Sequence, residues 1–523
     1  MASKMSCWSV VLMLSILLGS TIVFFIIGAL GPLSTQGVHH PMSLCIVPSS
    51  HKIVWDSSKR MIDDEQCKTM GRSVSLNELE KAELYPTENA LFYTPIPFLK
   101  KNVMSRLFHF LIVDLGINFK TSEYPKKLMK HNLNTFRAEV SLGYRNKISG
   151  PWTRLASGNV SRTVSCSPNH MGVTTCDHAH LFELGSCHHK QYMVNLFFPS
   201  LPLDNMYKGL SPLARVSLYE VHQSMAFTKL WFVLKSVLCP ISIAVLIWFR
   251  YRMGTADNSQ QRTLQQRLMS FMGYTLVFYN VPFDLLSLYF DCPWLLVFND
   301  FRQGLYVAAL FSFWIISVQE HCRKDGETQT SIGTYWKEMG VVLLACTFLF
   351  IYEFCERGIQ VVFPFYSLWG NWLSISVAWV FIGIASLSAL LYLLMFLVAT
   401  VRAYLELRRK EKELSSLSES ARRSYEGLFG QFKFFLFVTV LVAVCSIATV
   451  VLPTEMMLHQ WQHGKNEYAV YTALLTGNYG MWNAYTLLIM ILYAPSKQKA
   501  ASNGADETDP SKLQKFLSKQ SQN

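Results

Sequence analysis

Two neighbouring stretches decide the fold: residues 299–321, NDFRQGLYVAALFSFWIISVQEH, and residues 335–369, YWKEMGVVLLACTFLFIYEFCERGIQVVFPFYSLW. Each holds an apolar run, Leu305–Val318 and Val341–Phe354, bracketed by charge. Asp300 and Arg302 precede the first run, Glu320 and His321 close it, and Glu356 and Arg357 close the second. With its flanks each run reaches the roughly 20 residues that a helix rising about 1.5 Å per residue needs to cross a bilayer. The rest of the chain reads as a bundle built around this pair, with a folded domain on one side.

Composition agrees. The chain is 51% hydrophobic and 16% charged, with 35 Phe, 23 Tyr and 13 Trp, whereas a soluble chain carries about a quarter charged residues. The net charge of +12 does not point to nucleic acid. The basic residues cluster beside apolar spans, as positive-inside loops do.

Cys7–Leu30 is one apolar run with Lys4 before it. It exceeds the roughly 7–15 residues of a signal-peptide core, and Pro32 stands where cleavage would fall, so it reads as an uncleaved signal anchor with a cytosolic amino terminus. From Thr35 to about Ala226 there is no span. Short β-like runs (Phe108–Phe119, Ala138–Tyr144, Tyr192–Phe198) alternate with turn residues such as Ser149-Gly150-Pro151, which predicts a small, mostly β domain. The sequon Asn159-Val160-Ser161 falls here and makes Asn159 the glycosylation candidate. So do Cys45, Cys67, Cys166, Cys176 and Cys187, in what the anchor would make an oxidising lumen. Cys45–Cys67 and Cys166–Cys176 fit bridges on spacing and leave Cys187 odd; connectivity is not derivable from sequence. The run Cys176, His178, His180, Cys187, His188, His189 contains the usual zinc ligands, but its spacing matches no regular finger, and no metal or other cofactor is expected.

Seven apolar runs follow, near Leu230–Phe249, Leu268–Tyr289, Arg302–Val318, Met339–Cys355, Ile375–Val401, Phe432–Val451 and Ala469–Leu492. The first, third and fifth connecting loops are basic (Arg252, Arg262, Arg267; Arg323, Lys324, Lys337; Arg408 to Arg423), and the intervening ones carry little more than Arg357 and Lys465. The expected fold is an α+β membrane protein of eight transmembrane helices with a lumenal domain between the first two. Its segments are an anchor at 1–31, a β-rich lumenal domain at 32–228, a seven-helix bundle at 229–494 and a largely disordered cytosolic tail at 495–523. Three charges, Lys235, Asp284 and Glu353, fall inside spans at comparable depth in the lumenal third, where charge is costly, and are expected to form one ionic cluster.

The resemblance is carried by Asp300-Phe301-Arg302-Gln303-Gly304, Phe311-Ser312-Phe313-Trp314-Ile315-Ile316, Tyr335-Trp336-Lys337, Cys355-Glu356-Arg357-Gly358 and Pro364-Phe365-Tyr366-Ser367-Leu368-Trp369. It continues through Tyr425-Glu426-Gly427-Leu428, Tyr479-Gly480-Met481-Trp482-Asn483 and Leu492-Tyr493-Ala494-Pro495-Ser496, and more loosely through Glu183-Leu184-Gly185-Ser186 and Val221-His222-Gln223. In this order, from about Cys45 to Ser496, the sequence resembles the Wntless family. The resemblance implies a lumenal β-sandwich joined to a receptor-like seven-helix bundle behind one extra helix. It also implies a carrier of palmitoleoylated Wnt proteins, not an enzyme, moving from Golgi to plasma membrane. Return through endosomes would use a clathrin adaptor, retromer and a sorting nexin, with the endoplasmic reticulum also on the route.

Such a carrier needs an apolar shelter between helices. The expected lining is Phe311, Phe313, Trp314, Phe365, Tyr366, Trp369, Tyr479 and Trp482. Tyr425-Glu426-Gly427-Leu428 is the expected endocytosis motif, with Tyr425 and Leu428 filling two adaptor pockets. The tail ends Lys519-Gln520-Ser521-Gln522-Asn523 and lacks the acidic-amide ending of vertebrate members, while Lys512 to Lys519 has the spacing of a short amphipathic helix. The rival reading is a seven-helix signalling receptor for a lumenal ligand, which agonist-driven second-messenger output would reveal.

Overall fold

A computed structural model of the chain describes residues 7–46, 61–70, 72–74, 90–97, 103–120, 133–147, 149–168, 173–198, 213–255, 264–321, 332–370, 372–414, 430, 432–447 and 465–494. An apolar helix α1 (Cys7–Leu30) leads into strands β1 (Thr35–Pro41) and β2 (Ser43–Ile46), a short helix α2 (Asp64–Met70) and strand β3 (Arg72–Val74). Strands β4 (Ala90–Ile96), β5 (Leu111–Lys120), β6 (Leu133–Arg145), β7 (Thr153–Pro168), β8 (Val173–Cys176), β9 (Ala179–Leu184), β10 (Gln191–Phe197) and β11 (Leu213–Gln223) follow.

The strands form a sandwich of antiparallel layers. One layer runs β1-β11-β5 with β8 and β9 on the far edge of β5; the other runs β7-β6-β10-β4-β2-β3. The long β7 joins them, since it pairs with β6 along most of its length and with β8 at its end. Alternation explains the layering. Leu111, Val113, Leu115 and Ile117 of β5 face Val140 and Leu142 of β6 and Val194 and Leu196 of β10 in one buried core, because side chains two apart share a sheet face. The three β-like runs of the sequence correspond to β5, β6 and β10. The first is shorter than expected, since the strand begins at Leu111.

The bundle comprises α3 (Met225–Thr255), α4 (Leu264–Asn280), α5 (Leu295–His321), α6 (Trp336–Glu353), α7 (Trp372–Leu414), α8 (Phe432–Ile447) and α9 (Lys465–Leu492), and α1 packs against α9. Among the described residues, five helical segments are long and apolar enough to cross a membrane unaided: Val11–Leu30, Met225–Gly254, Leu295–Glu320, Ile332–Gly358 and Leu373–Arg409. α4 and α8 are shorter, and α9 carries Thr472, Thr476, Asn483 and Thr486, all buried among its neighbours. Polar groups satisfied inside a bundle are tolerated at membrane depth. The chain is a multi-pass membrane protein.

Two expectations need correction. The run Leu268–Tyr289 is not one helix: α4 stops at Asn280, Pro282 follows, and Phe283–Leu288 forms a 3-10 turn. Proline lacks the N–H that would bond to the preceding turn, which frees helix-end carbonyls. Arg302 takes two of them, Phe278 O at 3.2 Å and Val281 O at 2.6 Å, and its guanidinium lies 4.9 Å from the Phe283 ring centre. Arg302 was read as a flanking charge, yet it is fully buried.

Candidate functional site

α5 supplies an aromatic wall. Phe311 and Trp314, three residues apart, share a helix face. Phe311 stacks on Tyr392 of α7 with ring centres 5.2 Å apart, Tyr392 stacks on Phe396 at 6.1 Å, and Trp314 closes the ladder against Phe396 at 6.2 Å. The Tyr392 hydroxyl donates to the Phe311 carbonyl at 3.1 Å. Phe313 packs instead against Phe435 of α8. On α9, Tyr479 packs on Trp231 and Tyr279 and donates to Asn280 at 2.8 Å, while Trp482 packs on Tyr306 and donates from Nε1 to Ser446 at 2.9 Å.

The eight aromatic candidates therefore do not line one surface. Phe313, Trp314, Tyr479 and Trp482 are buried in the helix core, and Phe311 is half-buried at its margin. Phe365, Tyr366 and Trp369 lie beyond α6, where Phe365 packs into the sandwich and Trp369 meets Trp379 edge-on.

The ionic candidates also separate into two groups. Lys235 Nζ donates to Asp284 Oδ2 at 2.5 Å, both side chains are buried, and Asn299 Nδ2 donates to the other Asp284 oxygen. Glu353 stands apart, one turn before Arg357 and 3.6 Å from its Nε. Arg357 also donates to Asp300 at 2.8 Å and approaches Glu183 of β9 at 3.8 Å. Burial holds the Glu183 carboxyl above the usual carboxylate range, although Arg357 opposes that shift.

This second group marks the seam between bundle and sandwich. A π-turn, Phe354–Gly358, ends α6 and launches the segment 359–369. Glu356 folds that segment back by accepting the Leu368 N–H at 2.7 Å and the Gln360 amide at 3.2 Å. Across the seam Arg162 of β7 donates to the Phe365 carbonyl at 2.9 Å, and the Phe365 ring lies edge-on to Phe182 at 5.9 Å. Gly185 permits a further close approach, since a Cβ there would stand 2.6 Å from the Pro293 carbonyl.

Comparison with known sequences agrees with this two-part architecture. The Wntless GOLD domain family matches residues 45–223, and the Wntless-like transmembrane domain family matches residues 224–497. Protein wntless of Drosophila ananassae is 35% identical over 457 residues, covering 84% of this chain and 80% of that protein. Protein wntless homolog of Mus musculus is 30% identical over 501 residues, covering 92% and 88%. The chain belongs to the Wntless family. This is a carrier family and not one of enzymes.

In this Wntless-family chain the sandwich disperses the His/Cys run. Cys176 is bonded to Cys166, as Cys45 is to Cys67, and Cys187 is a buried thiol whose proton burial holds firmly. His178 packs on Tyr219, His180 on Asp114, and His189 on Tyr144, so the run forms no ligand set. Asn159 is exposed on β7. Elsewhere Glu220 of β11 accepts from His40 of β1 at 2.5 Å and lies 3.0 Å from His222. Burial would raise this carboxyl, but the two histidines hold it below its usual range. The motif Tyr425, Glu426, Gly427, Leu428 and the tail helix lie outside the described residues.

Several central residues escaped the sequence reading. Arg162 sits in a polar strand that gave no signal. Tyr392 and Phe396 lie four apart on one face of α7, a spacing that matched Phe311 and Trp314 and was the available clue. Asn280 and Asn483, bonded at 2.6 Å, join α4 to α9; an amide just before Pro282 was the trace of that helix end.

Proposed function

We propose that this chain carries Wnt proteins bearing a palmitoleoyl chain from the Golgi to the cell surface. It then returns by endocytosis through endosomes with retromer and a sorting nexin, passing also through the endoplasmic reticulum. The observation that carries the reading is the match to proteins named wntless along 84–92% of the chain, through both parts of the fold. The physics of the cargo agrees with it. A sixteen-carbon chain left in water would cost on the order of 10 kcal/mol, so it must be handed from bilayer to protein without passing through water.

Phe311 is the member of the aromatic group that an acyl chain reaches without displacing a helix, because it is half-buried beside Tyr392 on the α5–α7 ladder. Phe313, Trp314, Tyr479 and Trp482 back it from the core. Lys235 and Asp284 fix the break after α4 and thereby the spacing of α3, α4 and α5. Tyr425 and Leu428, in the sequence between α7 and α8, serve the clathrin adaptor, and Asn159 takes a glycan on the exposed face of β7.

A cargo made with a photoactivatable diazirine in its acyl chain tests this directly. Irradiation is expected to label peptides of α5 and α7 around Phe311 and Tyr392, and Phe311→Trp is expected to reduce that yield severalfold. Label confined to the sandwich would rule out the bundle as the shelter.

A further inference from the structure

The seam contains a bound peptide that belongs to the chain itself. At the notch between β7 and β9 the two strands are not paired with each other: β9 pairs with β5, and β7 turns away to pair with β6. Pro364 and Phe365 fill this notch. The Pro364 carbonyl accepts the Glu183 N–H at 3.4 Å, and the Phe365 carbonyl accepts from Arg162 at 2.9 Å. The Phe365 ring enters beside Phe182, over Gly158 of β7. A Cβ at Gly158 would stand 3.2 Å from that ring.

These are the elements of recognition of an extended peptide: backbone bonds to an open strand edge and a pocket for one side chain. Arg162 is itself buried and held by the carbonyls of His180 at 2.7 Å and Ser161 at 3.0 Å, so it is fixed in place for that contact. The resident segment is held loosely. Pro364 has no N–H to return, one of its two bonds is long, and the Phe365 ring is only half-buried.

The charge around the notch is unbalanced. Glu183, Asp300 and Glu353 surround Arg357, and Glu356 adds a fourth carboxylate. Arg162 is a second cation, bonded to this segment at the Phe365 carbonyl. Of the groups named, four carboxylates face two guanidinium groups, so the rim around Arg357 attracts positive charge.

We propose that the β7–β9 notch is a peptide-docking site of the sandwich, with Pro364–Phe365 as its resident occupant, exchanged for an extended, basic segment of the cargo that presents one aromatic side chain. The identity of that occupant rests on the carrier reading above; the exchange itself does not. Cargo is then held at two points, by its acyl chain in the bundle and by its polypeptide at the notch. Withdrawal of Phe365 loosens the sandwich from the bundle as the polypeptide enters.

The test uses the full chain in detergent micelles and a fluorescent peptide copying Val361–Leu368 (VVFPFYSL) with two lysines added. Binding is read by anisotropy without any lipidated cargo, so its outcome is independent of acyl capture. In Phe365→Ala the notch is vacant, and the peptide is expected to bind about tenfold or more tightly than to the unmodified chain, where the resident competes. A peptide with alanine in place of the same phenylalanine is expected not to bind. The pair Gly158→Cys with Phe365→Cys guards against misfolding of the first variant. The built Cβ at 158 lies 3.9 Å from the Cβ of residue 365, inside the roughly 3.5–4.5 Å of a disulfide. Oxidised by glutathione disulfide, this variant is expected to bind no peptide, and reduction is expected to restore binding. Equal affinity in Phe365→Ala and the unmodified chain, or binding by the crosslinked chain, would overturn the proposal.

Discussion

Lys235→Met is expected to destabilise the purified protein by about 3–5 kcal/mol, read as a lowered thermal midpoint of tryptophan fluorescence in detergent. The loss follows from what stays behind. Asp284 remains buried on its 3-10 turn with Asn299 as the surviving donor, while Arg302 is committed to the carbonyls of Phe278 and Val281 and to the Asn299 side-chain oxygen. A carboxylate stripped of its cation costs far more than the intact pair contributes. Replacing both partners, Lys235→Met with Asp284→Leu, is therefore expected to recover much of the midpoint although each single change lowers it. Recovery stays partial because Asn299 then loses its acceptor. An unchanged midpoint in Lys235→Met would show that the pair does not hold α3 to the break after α4.

Gly480→Leu is expected to separate α1 from α9. A Cβ at Gly480 would stand 2.0 Å from Cγ of Phe24, and one at Gly477 2.5 Å from the Phe25 ring. Close approach at Gly28, whose Cβ would meet the Thr472 carbonyl at 2.7 Å, leaves the helix backbones no room to part and stay packed. Overpacking of this kind costs about 1–3 kcal/mol where neighbours can adjust, and here two aromatic rings and a helix backbone cannot. Ser34, bonded to Thr472 at 2.8 Å just after α1, would be pulled away with it. Crosslinking between cysteines placed on α1 and α9 is expected to fall sharply in Gly480→Leu and to return when Phe24→Ala is added. Undiminished crosslinking in Gly480→Leu would contradict this packing.

The spans were legible because hydrophobic length is a strong signal, and each expected span overlaps a helix among the described residues. Its ends were not. The residues after Asn280 stay apolar through Tyr289, so hydropathy alone ran the helix past Pro282. Arg302 looked like an interface charge because two of its partners, beside the Asn299 side-chain oxygen, are main-chain carbonyls, which leave no mark in a sequence. Depth along separate spans could not assign Glu353, since three charges at one depth can face different neighbours. The pairing with Arg357 depends on helix rotation.

The same limit applied to the aromatic residues. The sequence offered eight aromatic residues as one lining, but only tertiary packing turned Phe313 toward α8 and carried Phe365 into the sandwich. In the sandwich, β5 betrayed itself through Leu111, Val113, Leu115 and Ile117. β7, which joins the two layers, exposes Thr153, Arg154, Ser157, Asn159 and Ser165 and gave no comparable pattern.

The most direct measurement is co-purification of this chain from cells secreting a Wnt, comparing the native cargo with one whose acylated serine is replaced by alanine. The account predicts strong capture of the lipidated cargo and loss of the serine variant. Equal capture of both would contradict the acyl shelter and move recognition to the sandwich; capture of neither would contradict the carrier itself and favour a signalling receptor.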